Sequence, residues 1–586
     1  MNVTQSERKV LFEKHIKTDS TSTLIISNYK YVKYSANEFD IYCASSEYSR
    51  IFDNEKIILN CIDTSQILKE LQKNIYKGIF VLVSKGELFI GGSLFDTSLS
   101  WVDLDKELII SDSSSDIAMY MNFSISKAAV ALNLIHSLPY YPFQQISLWE
   151  NVNTIRPFHI LKYKSNKVIE MVQTWIPPSL EKEVESVYLS IKERLLKLLR
   201  QETINYSEIS ADLSGGVDSA TIIYILKALQ ADVKLYHSNT DSEWNSDSKW
   251  AQLISNDLNT KFIHLDSLSS TGRNFKLNLD YSNSILPDKP LFWADTEGYV
   301  EIIEKMTKNP KDAIHFTGLG GDELFTPMPS YAWSLVRQNK FRSIGLSLRY
   351  CFLNRIPMKN GFANLLSNLS FKETVRHEID KGFGYTKKIH SNSTLNWCGP
   401  ITVPRWLTKM YCDLSYEMLI TELETTQNGL DLDRSRHQMI ESILFQRHIV
   451  TQLNKIYGAN GMSWKAPFLD VEIINYSLSI PVRYRQDINL TKPILYKSTK
   501  GIVPKNIFTR GFKGDYSKEL YKSYKIAVKE YSQKIRQFKL VEWGIVDADI
   551  LISELSMPTA LHSRIESFER LVSVERWIRI VLEKNK

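Results

Sequence analysis

Between residues 20 and 110 the apolar positions come in short runs set off by polar turns: TLIISNY, FDIYCAS, KIILNCI, GIFVLVS and ELFIGGSL. Their period-two alternation and β-branched content predict strands. In TSQILKELQKNIY the apolar side chains of Ile67, Leu68, Leu71 and Ile75 share one helical face, with Thr64 at the capping position, and SISKAAVALNLIHSL reads as a second helix. This part is expected to be a β-rich sandwich with some helix. Pro177-Pro178, just past KVIEMVQTW, interrupts any regular element. We place a domain boundary there, giving residues 1–176 and 179–586.

The pattern then changes. LEKEVESVYLSIKERLLKLLRQ spaces its apolar residues three and four apart, as an amphipathic helix does. After it the strand EISADL, a helix over 219–230, the strand VKLYHS, a helix around 246–257, the strand KFIHL and the strand-like AIHFTG follow in turn. Alternating β and α predicts an α/β unit, a parallel sheet with helices on its faces. From about residue 330 the pattern is mainly helical.

At 586 residues, 43% hydrophobic and 24% charged, the chain has ordinary globular composition and exceeds a single core. Its net charge of +6 is spread among interspersed acids and bases. No basic stripe for nucleic acid appears. Cys43, Cys61, Cys351, Cys398 and Cys412 lack metal-binding spacing and read as reduced thiols. The opening residues carry no apolar signal segment, and no run is long enough to span a bilayer. The expectation is a soluble cytoplasmic protein without nucleic-acid or membrane partners.

The chemistry concentrates in ADLSGGVDSATIIYILKAL, residues 211 to 229. A strand ending in a glycine-rich loop that opens a helix is an anion site: loop amides and the helix dipole face the crevice. Gly215 and Gly216 allow close backbone approach, and Ser214 and Ser219 carry hydroxyls. Leu213 and Val217 frame the loop. Asp218 beside phosphates makes sense if Mg²⁺ lies between them. No Walker lysine follows, which excludes that class of phosphate loop. Turn chemistry alone favours Ser, Gly and Asp here, yet a chance match to five fixed positions over the chain is about 10⁻³. A second loop, HFTGLGGDELF (315 to 325), again follows a strand and sets Asp322 among glycines, with Gly318 at its start. If the loops face each other, Asp322 is the second magnesium ligand.

These motifs resemble the asparagine synthetase family: Ser-Gly-Gly-Val-Asp-Ser its pyrophosphate loop, TGLGGDELF its companion, with APFLDVEIINYSLSIPVRYR and KSTKGIVPKNIFTRGFKGDY further on. The resemblance covers roughly 180 to 520, and the N-terminal part weakly. It implies a PP-loop synthetase domain with a helical C-terminal part behind a glutaminase-like α+β sandwich. It also implies ATP and Mg²⁺, adenylation of a carboxylate with loss of pyrophosphate, and displacement of AMP by a nucleophile. Leu213 to Ser219, with Gly318, would then bind nucleotide, and Asp218 and Asp322 would hold the metal. His237 and Ser238 would lie by adenine and ribose, and Lys513 would face the reacting centre, with Arg510 fixing the loop.

Two departures narrow the branch. Residue 2 is Asn where a glutaminase needs its terminal cysteine, and the nearest cysteine is Cys43. Leu319 stands where asparagine synthetases carry an ammonia-handling glutamate. The chain therefore looks like the two branches without a glutaminase, the β-lactam synthetases and the lasso peptide cyclases; HFTGLGGDELFTPMPSYAW resembles the cyclases' Gly-x-Gly-Gly-Asp loop with Pro and Tyr downstream, and SILPDKPLFWADTEG (284 to 298) resembles the microcin-type cyclases. In these a precursor peptide's Asp or Glu side chain is adenylated and its own N-terminal amine closes an isopeptide ring. A precursor peptide, a leader peptidase and a leader-binding protein are the partners implied. The alternatives are a β-lactam synthetase or other small-molecule amide synthetase, an ammonia-dependent asparagine synthetase, and a nucleotide-binding scaffold without activity. Phe292, Trp293 and Trp333 are candidates for a peptide pocket or for packing, and Asp295 and Glu297 for a helix cap.

Overall fold

The computed structural model describes residues 12–44, 64–265, 286–353, 365–386, 395–510, 514 and 517–585, apart from short gaps at 19–20, 28–30, 37–38, 75–77, 96–98, 105–106, 139, 165–166, 241–244, 293–295, 340–342, 427, 457–461 and 558–561. The strand expected over KIILNCI, together with Cys61, Trp293, Asp295 and Lys513, lies outside the described residues, as does the side chain of Glu297.

The fold is mixed α/β. Toward the N-terminus, a five-stranded sheet and a six-stranded sheet face each other. Ile25, Leu108 and Ile110 of the first meet Ile79, Val81, Leu88 and Ile90 of the second in a buried cluster. The outer side of the six-stranded sheet packs Phe80 and Leu82 on Ile67, Leu68 and Leu71 of the helix Thr64–Asn74. Leu24, Ile26 and Ile109, on the other side of the five-stranded sheet, enter a large cluster. That cluster includes Ala129 and Val130, and also Trp406 from a turn and Phe568 and Trp577 from the C-terminal helix His562–Lys584. Pro177-Pro178 therefore marks a change of sheet type while the apolar packing runs on across it.

The third sheet is wholly parallel. Its strands run in the order Phe262–Leu265, Val233–Ser238, Glu208–Asp212, Ala313–Phe316, Ser463–Lys465. In this doubly wound arrangement the winding reverses between Glu208–Asp212 and Ala313–Phe316, and crevices for ligands open at that reversal. The two strands pair in register, Ala211 opposite Phe316. Both glycine-rich loops thus leave the same sheet edge side by side. The helix Val217–Ala228 buries nearly its whole circumference, from Val217 to Leu226, as a helix apolar all round must. The helix Val184–Ile204 buries Val187, Tyr188, Ile191, Leu195 and Leu199, the three-and-four spacing of its sequence. Among the described residues no helix is long and apolar enough to cross a membrane, and Cys43, Cys351, Cys398 and Cys412 are free thiols.

Candidate active site

The first loop is held from several sides. Gly215 has φ of 80°, and a Cβ there would strike the Asp247 carbonyl oxygen. Only glycine combines that conformation with that contact. Arg510 donates to the Gly215 carbonyl and pairs with the Asp247 carboxylate, both nearly buried, while the Gly514 amide donates to the same carboxylate at 3.0 Å. Arg510 therefore fixes the loop. The Ser214 and Ser219 hydroxyls lie 2.8 Å apart, and Gly216 N–H donates to Ser214 Oγ at 3.2 Å. Gly216 is the N-cap of the helix Val217–Ala228, so that helix turns the positive end of its dipole toward the crevice. Leu213 and Val217 are buried in the core beneath.

Asp218 and Asp322 come together on one cation. Lys492 Nζ lies 2.5 and 2.6 Å from the two Asp218 carboxylate oxygens and 2.7 Å from Asp322 Oδ1. Lys492 is buried and Asp322 about half exposed, so the trio sits at the mouth of the crevice. Lys492 adopts the left-handed conformation, φ 56° and ψ 60°, at the N-cap of the helix Pro493–Thr499. For a residue with a Cβ this costs about 1–2 kcal/mol, a strain typical of functional positions. The sequence reading missed this lysine. Its one local signal is a lysine at a cap position, where Ser, Thr, Asp or Asn is usual, just before a proline at the first helical position.

Close approach of the loops depends on Gly318 and Gly321. A Cβ at Gly318 would lie 3.0 Å from Asp218 Cβ and from the Ser219 nitrogen, and one at Gly321 would collide with the Asp218 carboxylate. Gly321→Ala is expected to push the loops apart and weaken magnesium-ATP binding at least about tenfold, as misplaced charged contacts do. Titration with a fluorescent ATP analogue reads this, and unchanged affinity would refute the close-approach argument.

His237 stands against the start of the first loop. Its ring is buried, with Nδ1 2.7 Å from the Leu213 carbonyl oxygen and Nε2 2.8 Å from Ser248 Oγ. Burial lowers its pKa, so the ring is neutral: Nδ1–H donates to Leu213 and Nε2 accepts from Ser248. With both nitrogens engaged, His237 braces the start of the loop. Ser238, next along the strand, is only partly buried at the sheet edge. Phe292 lines a cavity beside the second loop. Trp333 lies elsewhere, packed between the Arg337 and Arg434 guanidinium groups at 3.8 and 4.4 Å.

The arrangement suits a divalent cation. Two carboxylates on adjacent loops already share one positive charge, and they are hard oxygen donors. Among the described residues no group of three His, Cys, Asp or Glu side chains forms a metal cage. Two carboxylates suffice for Mg²⁺, which keeps waters and takes phosphate oxygens as its other ligands.

Residues 190–579 match the family model for asparagine synthase. Asparagine synthetase [glutamine-hydrolyzing] 3 of Bacillus subtilis (strain 168) is 26% identical over 133 residues, 22% of this chain and 22% of that protein. Among solved structures, the NH3-dependent NAD synthetase from Campylobacter jejuni subsp. jejuni NCTC 11168 in complex with the nitrate ion has 15% identity. That alignment covers 41% of this chain and 94% of the other, with a TM-score of 0.19.

Proposed function

Because the chain belongs to the asparagine synthase family, we propose that it is an ATP-dependent amide ligase, and within that class a lasso peptide macrocyclase. The observation that carries the ligase reading is the meeting of Asp218, Asp322 and Lys492 at the winding reversal of the parallel sheet. Asp218 and Asp322 would hold Mg²⁺, which supplies charge neutralisation on the triphosphate. The amides of the loop from Ser214 to Ser219 and the helix behind them receive the departing pyrophosphate. With a metal held by the two carboxylates, Lys492 beside them would supply positive charge to stabilise the negative charge developing on the phosphate and acyl oxygens. A substrate carboxylate thereby becomes an acyl-adenylate, and an amine displaces AMP to form the amide.

The finer reading rests on what the site lacks. Leu319 packs against the apolar clusters on both sides of the second loop, so this position contributes packing where an ammonia-using enzyme needs a carboxylate. An amine already present in the substrate removes that need, and joining both ends of one peptide adds the advantage of proximity. We propose that a precursor peptide's Asp or Glu side chain is adenylated and its N-terminal amine closes the ring. A leader peptidase and a leader-binding protein deliver it, and the N-terminal sandwich is a glutaminase-like unit without glutaminase activity.

The test is mass spectrometry and AMP release with purified protein, magnesium-ATP, the precursor peptide and its peptidase, run beside aspartate with ammonium. Loss of one water from the core peptide with AMP formation supports cyclisation. Asparagine formation would overturn it. AMP formed only with a small amino-acid substrate would point to a β-lactam-type or related small-molecule synthetase.

A further inference from the structure

The turn after the strand Glu87–Gly92 leaves the N-terminal sandwich and enters a different core. Leu94 and Phe95 belong to the apolar cluster that also holds Leu213 and Val217 of the first loop, Leu324 and Phe325 of the second, and Phe468 and Leu469. Phe95 is fully buried and meets the Trp175 ring edge-on at 5.3 Å, and Trp175 Nε1 donates to Asn475 Oδ1 at 3.0 Å. Turns that face water favour Gly, Asn, Asp and Ser, so Leu-Phe at this one marks a turn built to be covered.

Ser93 reaches further. Its hydroxyl oxygen accepts from Arg447 Nη2 at 2.6 Å, and Arg447 Nη1 donates to the Leu469 carbonyl at 3.1 Å. Ser93 and Arg447 are both buried. Leu469 in turn supports the second loop: a Cβ added at Gly320 would lie 2.6 Å from Leu469 Cδ2, so loop and side chain are in direct contact. Gly320 is the N-cap of the helix Gly321–Phe325, whose first turn bears Asp322. Gln446, beside Arg447 on the helix Arg434–Ile456, donates to the Glu323 carboxylate at 2.9 Å. One helix therefore grips the loop through two neighbouring residues, and its arginine is tied to the N-terminal unit. A buried guanidinium needs its acceptors, and its planar fork fixes their direction as well as their distance.

We propose that the turn Ser93–Phe95 is a working part of the nucleotide site, and that Ser93 and Arg447 are positioning residues which set the second loop, and with it Asp322, through Leu469. The inference rests on the reading of Asp322 as a metal ligand and adds a task for the N-terminal sandwich. That task is mechanical and needs no glutamine chemistry. A loop displaced by a fraction of an ångström still binds Mg²⁺, but at a higher concentration. The effect therefore falls on the metal requirement rather than on the saturated state.

Two readouts on the full chain test this. Hydrogen–deuterium exchange follows the amides of residues 316–325, and titration of Mg²⁺ at a fixed concentration of a fluorescent ATP analogue gives the metal half-saturation. In Ser93→Ala the 316–325 amides are expected to exchange about tenfold faster and the half-saturation to rise about tenfold at an unchanged saturated signal, the scale for losing an outer partner of a metal site. Arg447→Lys keeps the charge but cannot serve both acceptors, and is expected to move both readouts at least as far. Ile110→Val, which removes a buried methylene from the five-stranded sheet, should lower the melting temperature and leave both readouts at the wild-type level. An unaltered 316–325 profile or metal half-saturation in Ser93→Ala would overturn the proposal. So would an equal shift in Ile110→Val, which would make the effect one of general stability. Hydrogen exchange needs neither ATP nor a carboxylate substrate. Its failure strikes this inference alone, whereas a wild type without carboxylate-dependent ATP–pyrophosphate exchange strikes the ligase reading.

Discussion

Asp218→Asn is expected to lower carboxylate-dependent ATP–pyrophosphate exchange by about 10³-fold or more, since a metal–phosphate contact is worth several kcal/mol of transition-state stabilisation. The fold should survive. Asp218, Asp322 and Lys492 carry two negative charges against one positive, and the neutral amide leaves Lys492 paired with Asp322. Lys492 then keeps one carboxylate partner, so the melting temperature should stay close to that of the wild type. Asp322→Asn should follow the same course in exchange with a smaller thermal effect, because Asp322 is about half exposed. Calorimetric melting together with the exchange assay separates the cases. Full exchange activity in either variant would remove the metal role from that carboxylate.

The parallel sheet and both loops were legible in the sequence because each signal is local. The strands Glu208–Asp212 and Ala313–Phe316 are short buried runs, and each is followed at once by glycines and an aspartate. The fifth strand, Ser463–Lys465, has three residues, too few for any periodicity to register. Lys492 was illegible for another reason. One of its partners, Asp218, stands 274 residues away, and a single lysine in a polar stretch has no pattern of its own. Sequence placed His237 at the sheet edge correctly but not its partners, because Ser248 reaches it only once the following helix has folded back. The shared core follows the same logic. Alternation shows which face of a strand is buried, but not that Leu24 and Ile109 share a cluster with Trp406 and Phe568. Long-range apolar pairing leaves no trace in a local pattern.

Lys492→Met should uncouple metal binding from chemistry. The Lys492 ammonium sits between the two carboxylates. Removing it takes away a positive charge that both carboxylates contact, which destabilises the chain. The variant should melt lower than wild type in chelator. Magnesium should then raise its melting temperature by more than it raises that of the wild type, where the metal must first displace Lys492. Product formation behaves oppositely. Loss of a positive charge aimed at developing phosphate and acyl charge costs about 10²–10³-fold, the scale for a preorganised electrostatic contact. Lys492→Arg keeps the charge but replaces a compact ammonium with a planar fork, so it should recover thermal stability while restoring little of the rate. A magnesium response equal to the wild type would mean that lysine and metal do not compete. Near-normal turnover in the methionine variant would return Lys492 to the role of a structural counter-ion, leaving the reacting charge to the loop amides alone.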